Sequence, residues 1–363
     1  MKKFLPYKFL YSALLIAGMI SFTSCSDDEN NDVDQGYDIP STYNFDNVSF
    51  SGQTIRLDQV GKLTAEMKKG NEVGVEVSEQ TLTDIYNEDV SGKKIQNKVQ
   101  ESFDIVINSY FPKLEAASMA TEAGSEGVAG VVTSHNGEKS YLFDAEGIEY
   151  TQLIEKGLMG ALMYHQATAV YFGDSKMNVD NETVEEGKGT EMQHHWDEAL
   201  GYFSAKTENG VTVFDDSRYW AKYAKKTEVL KTSENIYNAF IKGRAAIGAK
   251  DYSTRDEQIS IIRRNWEIVV AGTAVHYLNG AKDEISNGLD VDYALKNHQL
   301  SEAYAFILGL QFNPESRVSA GDANKIAALL GNDFYKTEAK DVQNAIDEIT
   351  SLVDELKDVA AQL

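Results

Sequence analysis

The sequence predicts an all-α fold, a helical bundle carrying a small β-hairpin insert. Three observations predict it. The 363 residues contain only four prolines, so long helices run without interruption. Apolar residues recur at helical spacing over most of the chain. One segment clearly breaks that period, the pair of apolar runs (VAGVV and YLF) flanking His135-Asn136-Gly137, and Asn-Gly between such runs is a hairpin signal. Hydrophobic residues make up 42% of the chain, enough to bury a core. No internal repeat of fixed period is found, which disfavours a regular solenoid.

Taken in order, residues 1–24 read as a signal peptide, 25–42 as an acidic tether ending near Pro40, and 43–363 as the helical domain, in one or two sub-bundles. Residues 43–56 alternate apolar and polar and are expected to form an edge strand. The spacing then predicts helices near 57–69, 79–88 and 94–118, the hairpin over 127–143, and helices near 146–171, 190–204, 215–226, 233–248, 254–286, 290–310, 321–330 and 338–361. In the last of these, Val342, Ala345, Ile349, Leu352, Leu356, Val359 and Leu363 form a heptad seam. Such a seam fits either a coiled-coil contact or, as we read it, a closing helix docked on its own core.

The address is legible at the start of the chain. Lys2, Lys3 and Lys8 precede an apolar run from Phe9 to Ile20, shorter than the roughly 20 residues of a membrane span and suited to a secretory signal. Phe22-Thr23-Ser24-Cys25 resembles a bacterial lipobox, with Phe22 in place of the usual aliphatic residue. The resemblance implies cleavage before Cys25 and lipidation of its thiol. The acidic stretch after it (Ser26 to Asp32) looks like the surface-export signal of Bacteroidota lipoproteins. Together they imply an outer-membrane lipoprotein held in the bilayer through Cys25, displayed on the surface or else on the periplasmic face.

Composition excludes several functions. Cys25 is the only cysteine, which rules out an internal disulfide and any multi-cysteine metal centre. A formal charge of −23 offers no basic stripe for nucleic acid. There is no G-x-S-x-G, no phosphate-binding G-x-x-x-x-G-K-[ST] and no H-E-x-x-H. The acidic loop 174–182 lacks the oxygen order of an EF-hand and reads as solvated. Gly157 and Gly160 read as sites of close helix packing.

Chemistry concentrates in residues 191–203 (EMQHHWDEALGYF). At 100° per residue, Met192, Trp196, Ala199, Leu200 and Phe203 form the core stripe. Glu191, His195, Glu198 and Tyr202 line one flank, while His194 and Asp197 are expected on the solvated face. His195 and Glu198, at i and i+3, are neighbours on the helix and can converge on one ion. Elsewhere His276 lies beside the apolar stripe of its helix, and His298 and Glu302 form an i, i+4 pair on another. His165 lies on an apolar stripe and reads as a satisfied core histidine; His135 reads as a solvated turn residue. Convergence of His195, Glu198, His276, His298 and Glu302 would make an imidazole–carboxylate site suited to iron or zinc.

On a helix of an exported all-α protein, His195-x-x-Glu198 resembles the G-x-H-x-x-E motif of imelysin-like proteins, with Gln193 where that family has glycine. That resemblance implies a two-lobed helical fold and a link to iron or haem uptake, and some members are classed as metallopeptidases. More broadly, EKGLMGALMYHQA, HHWDEALGYF, WAKYAKK, AFIKGRAAI, NWEIVVAGTAVHYLN and HQLSEAYAF resemble an uncharacterised family of Bacteroidota lipoproteins distantly related to imelysin, over roughly 40–310. The expected function is capture of iron, haem or another metal-linked nutrient and hand-off to an outer-membrane transporter. Alternatives are a metal-dependent peptidase and a non-catalytic surface accessory subunit.

Overall fold

The computed structural model describes residues 36–363; the signal, Cys25 and most of the tether lie outside the described residues. Twelve α-helices and two short antiparallel strand pairs make up the described chain. None of these helices is long and apolar enough to cross a membrane. Residues Asp38–Leu363 form one unit.

The expected edge strand over 43–56 is not formed. Tyr43 makes a single bridge to Thr212, and the chain turns into α1 (Ser51–Met67) once Phe50 is buried. The alternation there comes from individual anchors, Tyr43 and Phe50, rather than from a paired strand. Next come α2 (Glu79–Asn87) and α3 (Glu101–Ser118), the latter starting later than its apolar pattern suggests. There the Gln100 side chain accepts from the Phe103 N–H and caps the helix, and α3 runs on through Pro112. The predicted hairpin forms as β1 (Gly130–Thr133) against β2 (Ser140–Phe143), with Gly130 opposite Phe143.

The next helix changes pitch. α4 (Tyr150–Leu158) continues as two π-helical segments, Met159–Tyr164 and Gln166–Tyr171. Donors from outside take its carbonyls. The Gln100 N–H reaches Ala161 O at 2.9 Å, the Trp220 indole N–H reaches Met159 O at 2.9 Å, and Arg263 reaches Thr168 O at 2.7 and 2.9 Å. Insertion of outside partners into the ladder is a recognised cause of such widening. His165 sits between the two segments, with its ring 6.2 Å from that of Phe312.

After the short α5 (Asp174–Met177) comes α6 (Glu191–Tyr202), opened by a capping box. The Thr190 hydroxyl accepts from the Gln193 N–H, and the Gln193 carbonyl accepts from the Thr190 N–H at 3.0 Å. A second hairpin follows that the sequence reading missed, β3 (Ala205–Glu208) with β4 (Val211–Phe214). Its turn is Asn209-Gly210, both at positive φ (51° and 81°), the same two-residue signal found in the first hairpin.

The remainder is α7 (Tyr219–Tyr223), α8 (Thr232–Ala249), α9 (Tyr252–Ser286), α10 (Tyr293–Gly309), α11 (Ala320–Leu329) and α12 (Ala339–Leu352). The long α9 is central and packs against α8, α10 and α12. The heptad seam does not stay helical to the end: α12 stops at Leu352, and Val353 leaves the helical region at φ −110°, ψ 80°. Arg317 holds both Asp354 (3.1 Å) and Glu355 (2.6 Å) and fixes the turn, while Val353 and Leu356 still bury.

All three tryptophans are fully buried, and Trp266 packs on Tyr164, Phe203 and Trp220. Gly157 and Gly160 are packing glycines as expected: a Cβ at Gly160 would lie 2.9 Å from the Gly309 Cα. Gly243 is tighter still, since a Cβ there would meet the Trp196 ring at 2.1 Å. Trp196 cannot retreat, because its indole N–H is bonded to Phe240 O at 3.0 Å. Gly243→Ala is therefore expected to destabilise the fold by at least about 1–3 kcal/mol, read as a lower urea midpoint at unchanged slope.

Candidate functional site

The side chains singled out on α6 form a hydrogen-bonded knot. His195 Nδ1 lies 3.0 Å from Glu198 Oε2. The other Glu198 oxygen accepts from Gln53 Nε2 at 3.0 Å and from the Tyr171 hydroxyl at 3.1 Å. Burial pushes the Glu198 pKa up, but these bonds and the two histidines outweigh it and hold the carboxyl below its ordinary value. Lys176 Nζ stands 3.3 Å from His195 Nε2, with Glu191 a longer 3.6 Å away. The free imidazole nitrogen thus faces an ammonium.

Asp197 overturns the expectation of a solvated face. It is fully buried, and its Oδ1 takes both the Tyr43 hydroxyl and Arg244 Nε (3.1 Å). Burial pushes its pKa up to about 6 against the pull of Arg244. The segment containing Tyr43 and Ser49 covers this side of α6, so the face that a helical wheel leaves polar is an interior one. Arg244 is 3% exposed, and Lys250, beyond the end of the same helix α8, pairs with Glu182.

The five expected metal ligands do not gather in one place. His276 faces the C-terminal end of the chain, with its ring bonded toward the Leu363 backbone and 5.2 Å from the Tyr277 ring. His298 and Glu302 line a polar cleft that neither His195, Glu198 nor His276 enters. Among the described residues, no group of three or more His, Cys, Asp or Glu is arranged to hold a metal ion. The physical reason is compensation: in both clusters a lysine ammonium, Lys176 or Lys156, already stands against the donors. As placed, the donors do not fit a metal.

The cleft at His298 has a volume of about 650 Å³, within the ~300–1,000 Å³ typical of small-molecule sites. Its floor is built from α4 and α10, with α7, α9 and β2 as walls. Glu149, the residue that opens α4, and Gln152, Glu155 and Lys156 on it are brought together at i, i+3 and i+4 spacing. Lys156 is 4% exposed; its Nζ lies 3.0 Å from Glu155 and 3.3 Å from Glu302, and 5.1 Å from the Tyr223 ring centre. His298 Nδ1 meets the fully buried Glu149 at 2.6 Å, its Nε2 lies 4.0 Å from Glu302, and its ring stacks on Tyr141 at 4.0 Å. Glu149 also accepts from Gln152 Nε2 at 3.1 Å.

Four buried oxygens on the cleft lining lack a well-formed hydrogen bond, Thr64 Oγ1, Gln152 Oε1, Glu155 Oε2 and Glu302 Oε2; Thr64 offers a hydroxyl and Glu155 Oε2 lies 3.0 Å from Lys156 Nζ, which leaves Gln152 Oε1 and Glu302 Oε2 as the open acceptors of the floor. The Tyr277 hydroxyl lies against Glu302, and burial together with the nearby Tyr223 and Glu302 raises the phenol's pKa. Buried acceptors left open are costly and rare in folded proteins. A second cleft, of about 790 Å³, has Phe214, Ala221, Ala224 and Tyr237 on its wall and carries no buried charge, so it offers a ligand no fixed polar anchor.

Electrostatics of the floor predict a pH response. Burial would lower the His298 pKa, but Glu149 and Glu302 outweigh it and raise it, against Lys156. A raised imidazole pKa gives stability that is complete below the ordinary value near 6.5 and is lost as pH rises through the folded value. Thermal unfolding from pH 6 to 9 is expected to show that decline in the wild type and a flatter profile in His298→Gln.

The fold and cleft together define an all-α protein with a polar cleft of about 650 Å³ over buried charges. Residues 40–351 match the family described as "Domain of unknown function (DUF4856)", and the chain belongs to that family. Neither the curated proteins nor the solved structures offer a match.

Proposed function

We propose that this protein is a cell-envelope lipoprotein, anchored through Cys25, that captures a small polar solute in the His298–Lys156 cleft and hands it to an outer-membrane transporter. The single observation that carries this reading is the pair of open buried acceptors, Gln152 Oε1 and Glu302 Oε2, on the floor of a solute-sized cleft. Retaining such atoms in a core is costly unless something with donors meets them. Capture without chemistry asks for no nucleophile, and the sequence carries none of the nucleophile motifs sought. The acidic tether after Cys25 supports display outside the outer membrane.

The test is a thermal-shift and calorimetric screen of the purified protein against amino acids, short peptides, sugars, polyols, iron(III) citrate and haem. The reading expects at least one organic solute to stabilise the wild type and to lose that effect in Glu302→Gln. If no member of the panel binds, capture in this cleft is wrong. A metal-linked cargo, the second reading, keeps only the HxxE spacing of His195 and Glu198 in its favour and would need Lys176 to leave His195 Nε2. It predicts stoichiometric metal in the purified protein, lost in His195→Ala; sub-stoichiometric metal indifferent to that substitution excludes it. Protease shaving of intact cells tests display, and a protein fully protected from the protease is not on the surface.

A further inference from the structure

The charges of the cleft are sorted by depth. On the floor, three carboxylates (Glu149, Glu155 and Glu302) face one ammonium, Lys156, and one imidazole, His298. The floor therefore keeps negative charge in excess whether or not His298 carries a proton, and both open acceptors are there. At the mouth the sign reverses. Lys68, Lys139 and Lys222 line it, all three exposed and none with a carboxylate partner among the described residues. Arg218, also on the lining, is already held by Asp58 and Asp215. Among the described residues the exposed acid on the lining is Glu138, which accepts from Asn136. In a chain of net charge −23, a cationic mouth over an anionic floor is a specific arrangement.

We propose that the cleft selects a zwitterion, an amino acid or short peptide with free termini, its ammonium seated at Glu302 and Gln152 and its carboxylate at the Lys68–Lys139–Lys222 mouth. This rests on the capture reading above and names its solute class. An ammonium supplies three donors and one positive charge, which meets both open acceptors and neutralises the floor. The carboxylate then lies at a partly solvated rim, where lysines add orientation and encounter rate more than affinity. The tyrosine walls, Tyr141, Tyr219, Tyr223 and Tyr277, supply flat apolar surface between the two charged ends.

The experiment is isothermal titration of the full chain with L-alanine and tri-L-alanine, and with the N-acetyl and C-amide forms of each. At least one free form is expected to bind, with N-acetylation weakening it at least about tenfold, the scale of a lost charged hydrogen bond. C-amidation is expected to weaken it about threefold or more, the scale of a rim ion pair. Lys139→Ala/Lys222→Ala, both on the surface and therefore safe for folding, is expected to weaken the free acid and leave the amide unchanged. Equal binding of the acetylated form, or a double variant that weakens acid and amide alike, overturns the assignment. If sugars or polyols bind while neither free form does, capture stands and the zwitterion falls. If nothing binds, both fall together.

Discussion

Lys156→Met is expected to cost about 3–5 kcal/mol of folding stability, the largest effect of any single substitution in the cleft. Methionine matches the length of the lysine stem and removes only the charge. Glu302, 4% exposed, and Glu155 would then keep their charges without the one ammonium that contacts both among the described residues. Breaking a buried pair leaves an uncompensated charge, whereas removing both ends often restores much of the loss. Lys156→Met/Glu302→Gln is accordingly expected to recover most of the stability. Urea unfolding of the two variants checks this; a double variant no more stable than the single one would show that packing of the stem, not charge, is what Lys156 contributes.

Arg244→Met is expected to cost a similar amount, about 3–5 kcal/mol, and to do so in a pH-dependent way. Among the described residues Arg244 is the only cation that the buried Asp197 contacts, and the pair pins Tyr43 and Ser49 over α6. The Asp197 carboxyl already sits at about 6 because of burial. A carboxyl with a raised folded pKa binds its proton more tightly in the folded state, so it favours folding as pH falls and opposes it as pH rises through that value. Losing Arg244 raises the pKa further. The gap between wild type and variant is therefore expected to be wide at pH 7.5 and narrower at pH 5. An equal gap at both values would mean that Arg244 acts through its packing on Phe45.

The helical body was legible because its period is local. α2, α8, α9 and α11 lie within two residues of where their apolar spacing puts them. Misjudgements arose where the deciding partner is far away in sequence. Asp197 reads as solvated on a helical wheel, but Tyr43 and Arg244, distant in sequence, enclose it. The α12 seam ends early because Arg317 captures Asp354 and Glu355. The second hairpin is a different kind of miss, since Asn209-Gly210 carried the same turn signal as Asn136-Gly137.

For the site, His298 and Glu302 were visible as an i, i+4 pair, and the structure puts them on the cleft floor. Their decisive neighbours were not visible. Glu149 and Lys156 look like ordinary surface charges on an amphipathic helix, and the contact of Glu149 with His298 spans 149 residues of chain. The same distance effect defeats the metal reading of spacing: i, i+3 and i, i+4 pairs say that donors are adjacent, not that the ammonium of Lys176 or Lys156 is absent.

The central claim is that the cleft over Lys156, Glu302 and His298 is where a solute is held. Its most direct measurement is equilibrium binding of the screened solute to Gln152→Leu, compared with wild type. Gln152 is 3% exposed on the cleft lining, and leucine keeps most of its bulk while removing the open Oε1. Loss of binding by a variant that still unfolds cooperatively is the predicted result; full retention of binding would contradict the account.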